Sequence, residues 1–139
     1  MKRPSSDGLF FALLLGTILK YSFLAYLQAM EITWQDFEKV EMRIGTILSA
    51  IPFEKARNPA YILQIDFGPL GIKKSSAQVT DLYTPKDLVG RQIIAVCNFP
   101  PKQIADLMSE CLVLGVVGEE KGVVLLAPEQ KVENGKRIA

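Results

Sequence analysis

The chain has 139 residues and a mass of 15.4 kDa, enough for one domain and tight for two. With 49% hydrophobic and 22% charged residues it is not a wholly disordered chain, and a formal net charge of +1 excludes a strongly basic coat for nucleic acid, though not a local basic patch. The absence of His removes Ser-His-Asp and Cys-His catalysis, histidine-ligated zinc and a histidine pH switch.

The first thirty residues differ from the rest. Residues 9–29 read LFFALLLGTILKYSFLAYLQA with one charge, Lys20, after a basic start carrying Lys2 and Arg3. Three readings compete. A secretory signal would need a small residue where Leu27 stands. A membrane span needs about 20 apolar residues, and Lys20 near its middle would cost about 2.5–3.5 kcal/mol. The third reading puts residues 1–29 outside the functional protein, with Met30 as the true start. The break in composition at Met30 favours this one, and what remains has 13 basic and 14 acidic residues. The expected division is an apolar extension over 1–29, either a misassigned start or a signal-like segment, and a domain over 30–139.

From Met30 the pattern is that of a small β fold. Thr33 with Asp36 reads as a capping-box variant opening a short helix at 33–39. Trp34, Phe37 and Val40 lie at helical spacing, so Trp34 either plugs a core or anchors a dimer interface. Residues 42–51 read as a strand whose alternation slips at Gly45-Thr46, predicting a bulge or bend there. A loop follows between Pro52 and Pro59. Residues 61–67 alternate, with Tyr61 and Phe67 inward and Gln64 and Asp66 outward. Gly68 to Gly71 is a tight connection, then residues 72–78 form a strand. Thr84-Pro85 opens a one-turn helix that Gly90 closes. Residues 92–97 are a buried central strand, broken by Phe99-Pro100-Pro101. Residues 111–117 and 123–127 read as two strands joined by a hairpin loop, and Asn134-Gly135 marks a turn in the tail. Cys97 and Cys111, with thirteen residues between them and no CxxC spacing, read as two buried, reduced thiols of a cytosolic protein. Five or six short strands with one or two helical turns and no βαβ alternation predict an all-β fold. The expected form is an OB-fold five-stranded barrel with short flanking helices.

The segments DFEKVEMRIGTI (36–47), IKKSSAQVTDLY (72–83), VCNFPPKQIADLMSECLVLG (96–115) and VVLLAPEQKVENGKRI (123–138) together resemble the CsaA family of export-related, peptide-binding chaperones. That family lies within the wider tRNA-binding-domain family, whose OB module is also appended to some methionyl- and tyrosyl-tRNA synthetases. The resemblance runs over residues 34–139 and omits 1–29. It implies a non-catalytic cytoplasmic homodimer without cofactors, binding unfolded or pre-export polypeptides and also, as the alternative, tRNA. No membrane partner is implied unless residues 1–29 are retained. It places Lys73, Lys74, Ser75, Ser76 and Gln78 on the ligand-contacting strand, with Arg43, Asn98, Lys102, Ser109 and Glu110 bordering that face. The synthetase-appended binders usually carry Arg, small residues and a Gly after the Ser. Lys-Lys-Ser-Ser-Ala-Gln departs from this and favours peptide over tRNA.

The residues themselves leave alternatives open. Lys73, Lys74 and Lys102 could meet phosphates or simply solvate a barrel exterior, and adjacent Lys73 and Lys74 must point to opposite faces. Ser75, Ser76, Gln78 and Asn98 could hydrogen-bond a peptide main chain, or Asn98 could pair with local backbone. Phe99-Pro100-Pro101 either rims an apolar pocket or only turns the chain. Ser109-Glu110 could accept a cation or amine, or merely start a strand. The carboxylates are scattered, Gly68-Pro69-Leu70-Gly71 is no phosphate loop, and nothing nominates a nucleophile with its base, so catalysis is not expected.

Overall fold

The computed structural model describes residues 6–139, with the side chains of the first helix described from residue 14 on. Lys2 and Arg3 lie outside the described residues. The chain divides into two compact units, Met1–Phe37 and Glu38–Ala139. In the first, helix α1 (Ser6–Ala29) leaves Leu15, Ile18, Tyr21 and Leu24 exposed. Among the described residues no helix is long and apolar enough to cross a membrane. Helix α2 (Trp34–Glu38) starts as expected: Thr33 Oγ1 accepts from Asp36 N at 3.1 Å, and Thr33 N donates to the Asp36 carboxylate at 3.0 Å. Trp34, however, is 64% exposed and stacks on Phe37 at 5.4 Å, so it is not a buried plug.

The second unit is built on one long strand. β1 (Met42–Pro52) pairs antiparallel with β4 (Gln92–Val96) along its first half and with β2 (Tyr61–Asp66) along its second. The tail covers the edge that β2 leaves free: Gly135 N donates to Ile44 O, Ile44 N to Lys136 O and Ile138 N to Met42 O. Adding β3 (Ile72–Ala77) and β7 (Leu112–Val113) gives the order β3-β2-β1-β4-β7. The two outer strands approach each other where Glu110 N donates to Lys74 O at 2.8 Å. This nearly closed five-stranded antiparallel barrel is the expected OB-like, mostly β architecture. Its interior holds Ile47, Leu63, Ile65, Phe67, Leu88 and Ile93, all fully buried. Tyr61 is also inside, its hydroxyl donating to Tyr83 O at 2.8 Å.

The strongly curved strand departs from the expected position of its irregularity. The bulge lies between Ile47 and Ser49, not at Gly45-Thr46. Leu48 is the extra residue, and turning it outward lets both Ile47 and Ala50 face the core. Gly45 serves close packing instead: a Cβ there would stand 2.5 Å from Ile65 Cγ2 and 2.8 Å from the Phe67 ring. Helix α3 (Pro85–Leu88) carries a full capping box between Thr84 and Asp87 and drives Leu88 into the barrel, with Gly90 in the left-handed region behind it. That capping, chiefly the bonds from Thr84, holds the Asp87 carboxyl below its ordinary pKa.

Two further departures shape the mouth. The expected strand 111–117 is split at Leu114 into β7 and β8 (Gly115–Val116), and β8 pairs with β9 (Val124–Leu125) as a separate two-stranded sheet. A hairpin unforeseen in the sequence, β5 (Lys102–Ile104) and β6 (Leu107–Ser109), follows Phe99-Pro100-Pro101. Beneath it Phe53, Ala60 and Leu107 form a small second core, packed by Ile62 and Ile104. Cys111 is buried, but Cys97 is only partly so, which corrects the expectation of two buried thiols.

Candidate ligand-binding site

Strand β3 alternates cleanly. Lys73, Ser75 and Ala77 turn toward the barrel side, while Ile72 and Lys74 are exposed on the other. The two lysines therefore separate, as the pleat requires. Ser75 is 1% exposed and donates to Cys111 O at 3.0 Å, so its hydroxyl is part of the barrel closure. Lys74 lies on the rim: its N–H donates to the Glu110 carboxylate at 2.9 Å, which fixes the Glu110 side chain along the edge of β3.

Two cavities border β3. The first, of about 300 Å³, is lined by Ser76, Phe99, Pro100, Lys102, Ile104, Ser109, Glu110, Cys111 and Leu112. It brings together five of the residues singled out in the sequence: Ser76, Phe99, Lys102, Ser109 and Glu110. Phe99 is 56% exposed at its rim, and Leu112 and Ile104 supply further apolar wall. Ser109 Oγ is drawn inward, donating to Cys111 O at 3.3 Å and lying 3.4 Å from Ser76 N. The second cavity, of about 260 Å³, is lined by Glu41, Arg43, Leu70, Lys73, Cys97 and Asn98. Gln78 falls in neither; it borders a third, apolar cavity with Val113, Leu114 and Val123.

Glu41, Arg43 and Asn98 of the second cavity are bound internally. Glu41 receives Arg43 Nε at 3.1 Å and Nη2 at 2.7 Å, while Arg43 Nη1 donates to Gly135 O at 3.1 Å. Asn98 Oδ1 accepts from Glu41 N at 3.0 Å and Asn98 Nδ2 donates to Lys39 O at 2.6 Å. Asn98 therefore does pair with backbone, but with backbone nearly sixty residues away in sequence. Burial raises the Cys97 thiol above its ordinary pKa, opposed by Lys73 and Arg43. Burial also pushes the Cys111 thiol up, to about 12.

Sequence reasoning missed Glu41, Leu70, Ile104 and Leu112. The alternation of Lys102-Gln103-Ile104 and Leu107-Met108-Ser109 was there to read, but the two-residue turn between them uses Ala105 at φ 50°, where Gly or Asn would have signalled a hairpin. A larger groove, about 1010 Å³, runs between β1 and the tail. Its walls are stitched together by Thr46 Oγ1 to Asn134 Oδ1 at 2.7 Å and Gln92 Nε2 to Val132 O at 2.7 Å. That makes it the seam that seats the tail, and none of the singled-out residues lines it.

Known proteins share this architecture. A family model described as "Putative tRNA binding domain" matches residues 42–137. Methionine–tRNA ligase 1 of Bacillus anthracis is 38% identical over 112 residues, 80% of this chain but 16% of the ligase. The chain thus spans about a sixth of the length of the curated ligases it matches. Among solved structures, the chaperone CsaA from Bacillus anthracis str. Ames is 51% identical with a TM-score of 0.75, covering 78% of this chain and 99% of that one. The CsaA chaperone protein from Picrophilus torridus is 48% identical with a TM-score of 0.74, covering 78% and 100%.

Proposed function

The chain belongs to the tRNA-binding-domain family as a CsaA-like member, and from that premise we propose that it is a cytoplasmic, export-related chaperone that binds unfolded or pre-export polypeptides as a homodimer. The domain responsible is residues 30–139. The observation that carries the reading is the cavity of about 300 Å³ with exposed Phe99 at its rim. Pro100, Ile104 and Leu112 give it an apolar wall, while the side chains of Ser109 and Glu110 are drawn to the chain's own backbone. An extended polypeptide can set one apolar side chain into such a cavity with little demand on sequence, which suits a tolerant binder. Coverage supports the same choice, since the chain corresponds to nearly all of the CsaA chaperones and only a small part of the ligases. Exposed Trp34 supports the dimer, because a large apolar ring in solvent favours a partner surface.

A second reading, tRNA binding, draws on the family description and on three lysines about the mouth, Lys73, Lys74 and Lys102. The experiment that separates them is a titration of labelled unfolded polypeptide and of bulk tRNA over a salt series. Polypeptide capture through the apolar cavity should hold or strengthen as salt rises. A polypeptide affinity that collapses with salt, beside tight tRNA binding, would overturn the chaperone reading.

A further inference from the structure

The ladder between β4 and β7 ends one step short of the two cysteines, at Val96 and Leu112. Ala95 pairs with Val113 and Val96 with Leu112, so the next step of the same register sets Cys97 opposite Cys111. Leu114 N donates to Ile94 O, which marks 94/114 as a hydrogen-bonded pair; alternation makes 97/111 a non-hydrogen-bonded one. The flanking bonds agree. Cys97 N turns away to Glu41 O at 2.8 Å, and Cys111 O turns away to accept from Ser75 and Ser109. Opposed residues of this class stand about 4.5 Å apart at Cα, inside the window of about 4.4–6.8 Å that a disulfide spans. Both side chains share the face of Ala95 and Val113 and pack on the barrel core. They are the only two cysteines of the chain, and both are free.

Their surroundings differ in a way that orders the chemistry. Cys97 is half-buried and lines the open cavity beside Lys73 and Arg43, which oppose without cancelling the rise that burial gives its thiol pKa, so it is the more accessible of the two but not an activated thiol. Cys111 is buried and forms part of the floor of the neighbouring apolar cavity. We propose that Cys97 and Cys111 are a redox-sensitive dithiol, oxidised by a peroxide to a cross-strand disulfide at the barrel mouth. In the first step the Cys97 sulfur attacks one peroxide oxygen and the O–O bond breaks. Sulfur gives up two electrons and becomes a sulfenic acid, and the leaving hydroxide takes the thiol proton as water. In the second step the Cys111 sulfur attacks the Cys97 sulfur. The S–S bond forms, the S–O bond breaks, and the departing hydroxide takes the Cys111 proton as a second water. Two thiols and one peroxide thus yield one disulfide and two waters. Such a bond in a reducing compartment would be transient, as sensing disulfides are.

The inference does not depend on which ligand the mouth binds. To test it, the folded full chain is treated with hydrogen peroxide, alkylated, and mapped by mass spectrometry without reduction. The expected result is a linked Cys97–Cys111 peptide within one chain, an intact mass lower by two hydrogens, reversal by dithiothreitol and a higher melting midpoint than the reduced protein. In Cys111→Ser, whose fold is checked by melting, a dimedone-type reagent should trap sulfenic acid at Cys97. Cys97 driven to sulfinic acid with Cys111 still free, a disulfide between two chains, or folded protein whose thiols survive peroxide that oxidises the unfolded chain would each overturn it.

Discussion

Asn98 holds two distant backbone groups with one amide: it accepts from Glu41 N and donates to Lys39 O, closing the chain just before β1. The Asn98→Ala substitution removes both bonds, and at this exposed site the expected loss is about 1–2 kcal/mol of stability. Polypeptide affinity should change less than stability, because the amide already has partners within its own chain. Thermal melts beside peptide titrations check this, and a stable variant that no longer binds would return Asn98 to the ligand. Cys111 gives a second prediction at this scale. Burial raises its thiol from the ordinary 9.0 to about 12. Between those values the unfolded chain has released the proton while the folded one still holds it, so stability falls as pH rises. The contribution is fully present below pH 9 and lost through 12, with a slope of at most about 1.4 kcal/mol per pH unit. Denaturant melts of the protein and of Cys111→Ser across this window should diverge; parallel curves would show that Cys111 is not the cause. Side-chain facing was legible where the strand period is strict, as in the split of Lys73 from Lys74. It was not legible for Asn98, whose partners come from a segment that only the closed barrel brings near.

The elements that follow local rules were readable in advance, and those that depend on tertiary contact were not. Thr33 with Asp36 and Thr84 with Asp87 carry their capping signals within four residues, so both helix starts could be placed. The bulge could not, because its position answers to which residues must face the core: only with Leu48 extruded do Ile47 and Ala50 both point inward. The β5–β6 hairpin was hidden by its turn chemistry. Ala105 sits at φ 50°, a left-handed conformation that costs an L side chain roughly 1–2 kcal/mol. The Ala105→Gly substitution should relieve that strain, offset by the greater freedom of Gly in the unfolded chain. The expected net effect is a gain of up to about 1 kcal/mol, read from chemical denaturation. A clear loss would mean that the Ala105 methyl contributes packing beyond what the turn costs.

At the scale of the molecule, every element of the barrel lies within Glu38–Ala139, while α1 belongs to the other compact unit. A chain beginning at Met30 is therefore expected to fold cooperatively, and an uncooperative melt would show that residues 1–29 contribute to the core. Sedimentation of that chain at micromolar concentration should give a dimer; monomer alone would remove the proposed assembly. Charge at the mouth separates the two candidate ligands. Lys74 and Lys102 are exposed on segments that meet at this end of the barrel, Lys74 beside Glu110 and Lys102 in the cavity wall. Replacing both with Glu reverses charge where a phosphate chain would lie. Each phosphate contact by single-stranded nucleic acid contributes a slope of about −0.7 in log affinity against log salt. The double variant should therefore bind bulk tRNA at least about tenfold more weakly, with a shallower salt slope. On the proposed reading, unfolded polypeptide would meet the same surface through Phe99, Ile104 and Leu112, and exposed charges add little to such contacts, so its affinity should move by about 1 kcal/mol or less. Fluorescence titration of both ligands, with melting midpoints as the control for folding, measures both arms. If the folded variant loses polypeptide as steeply as tRNA, charge rather than the apolar cavity governs capture; if neither changes, the ligand surface is elsewhere on the barrel.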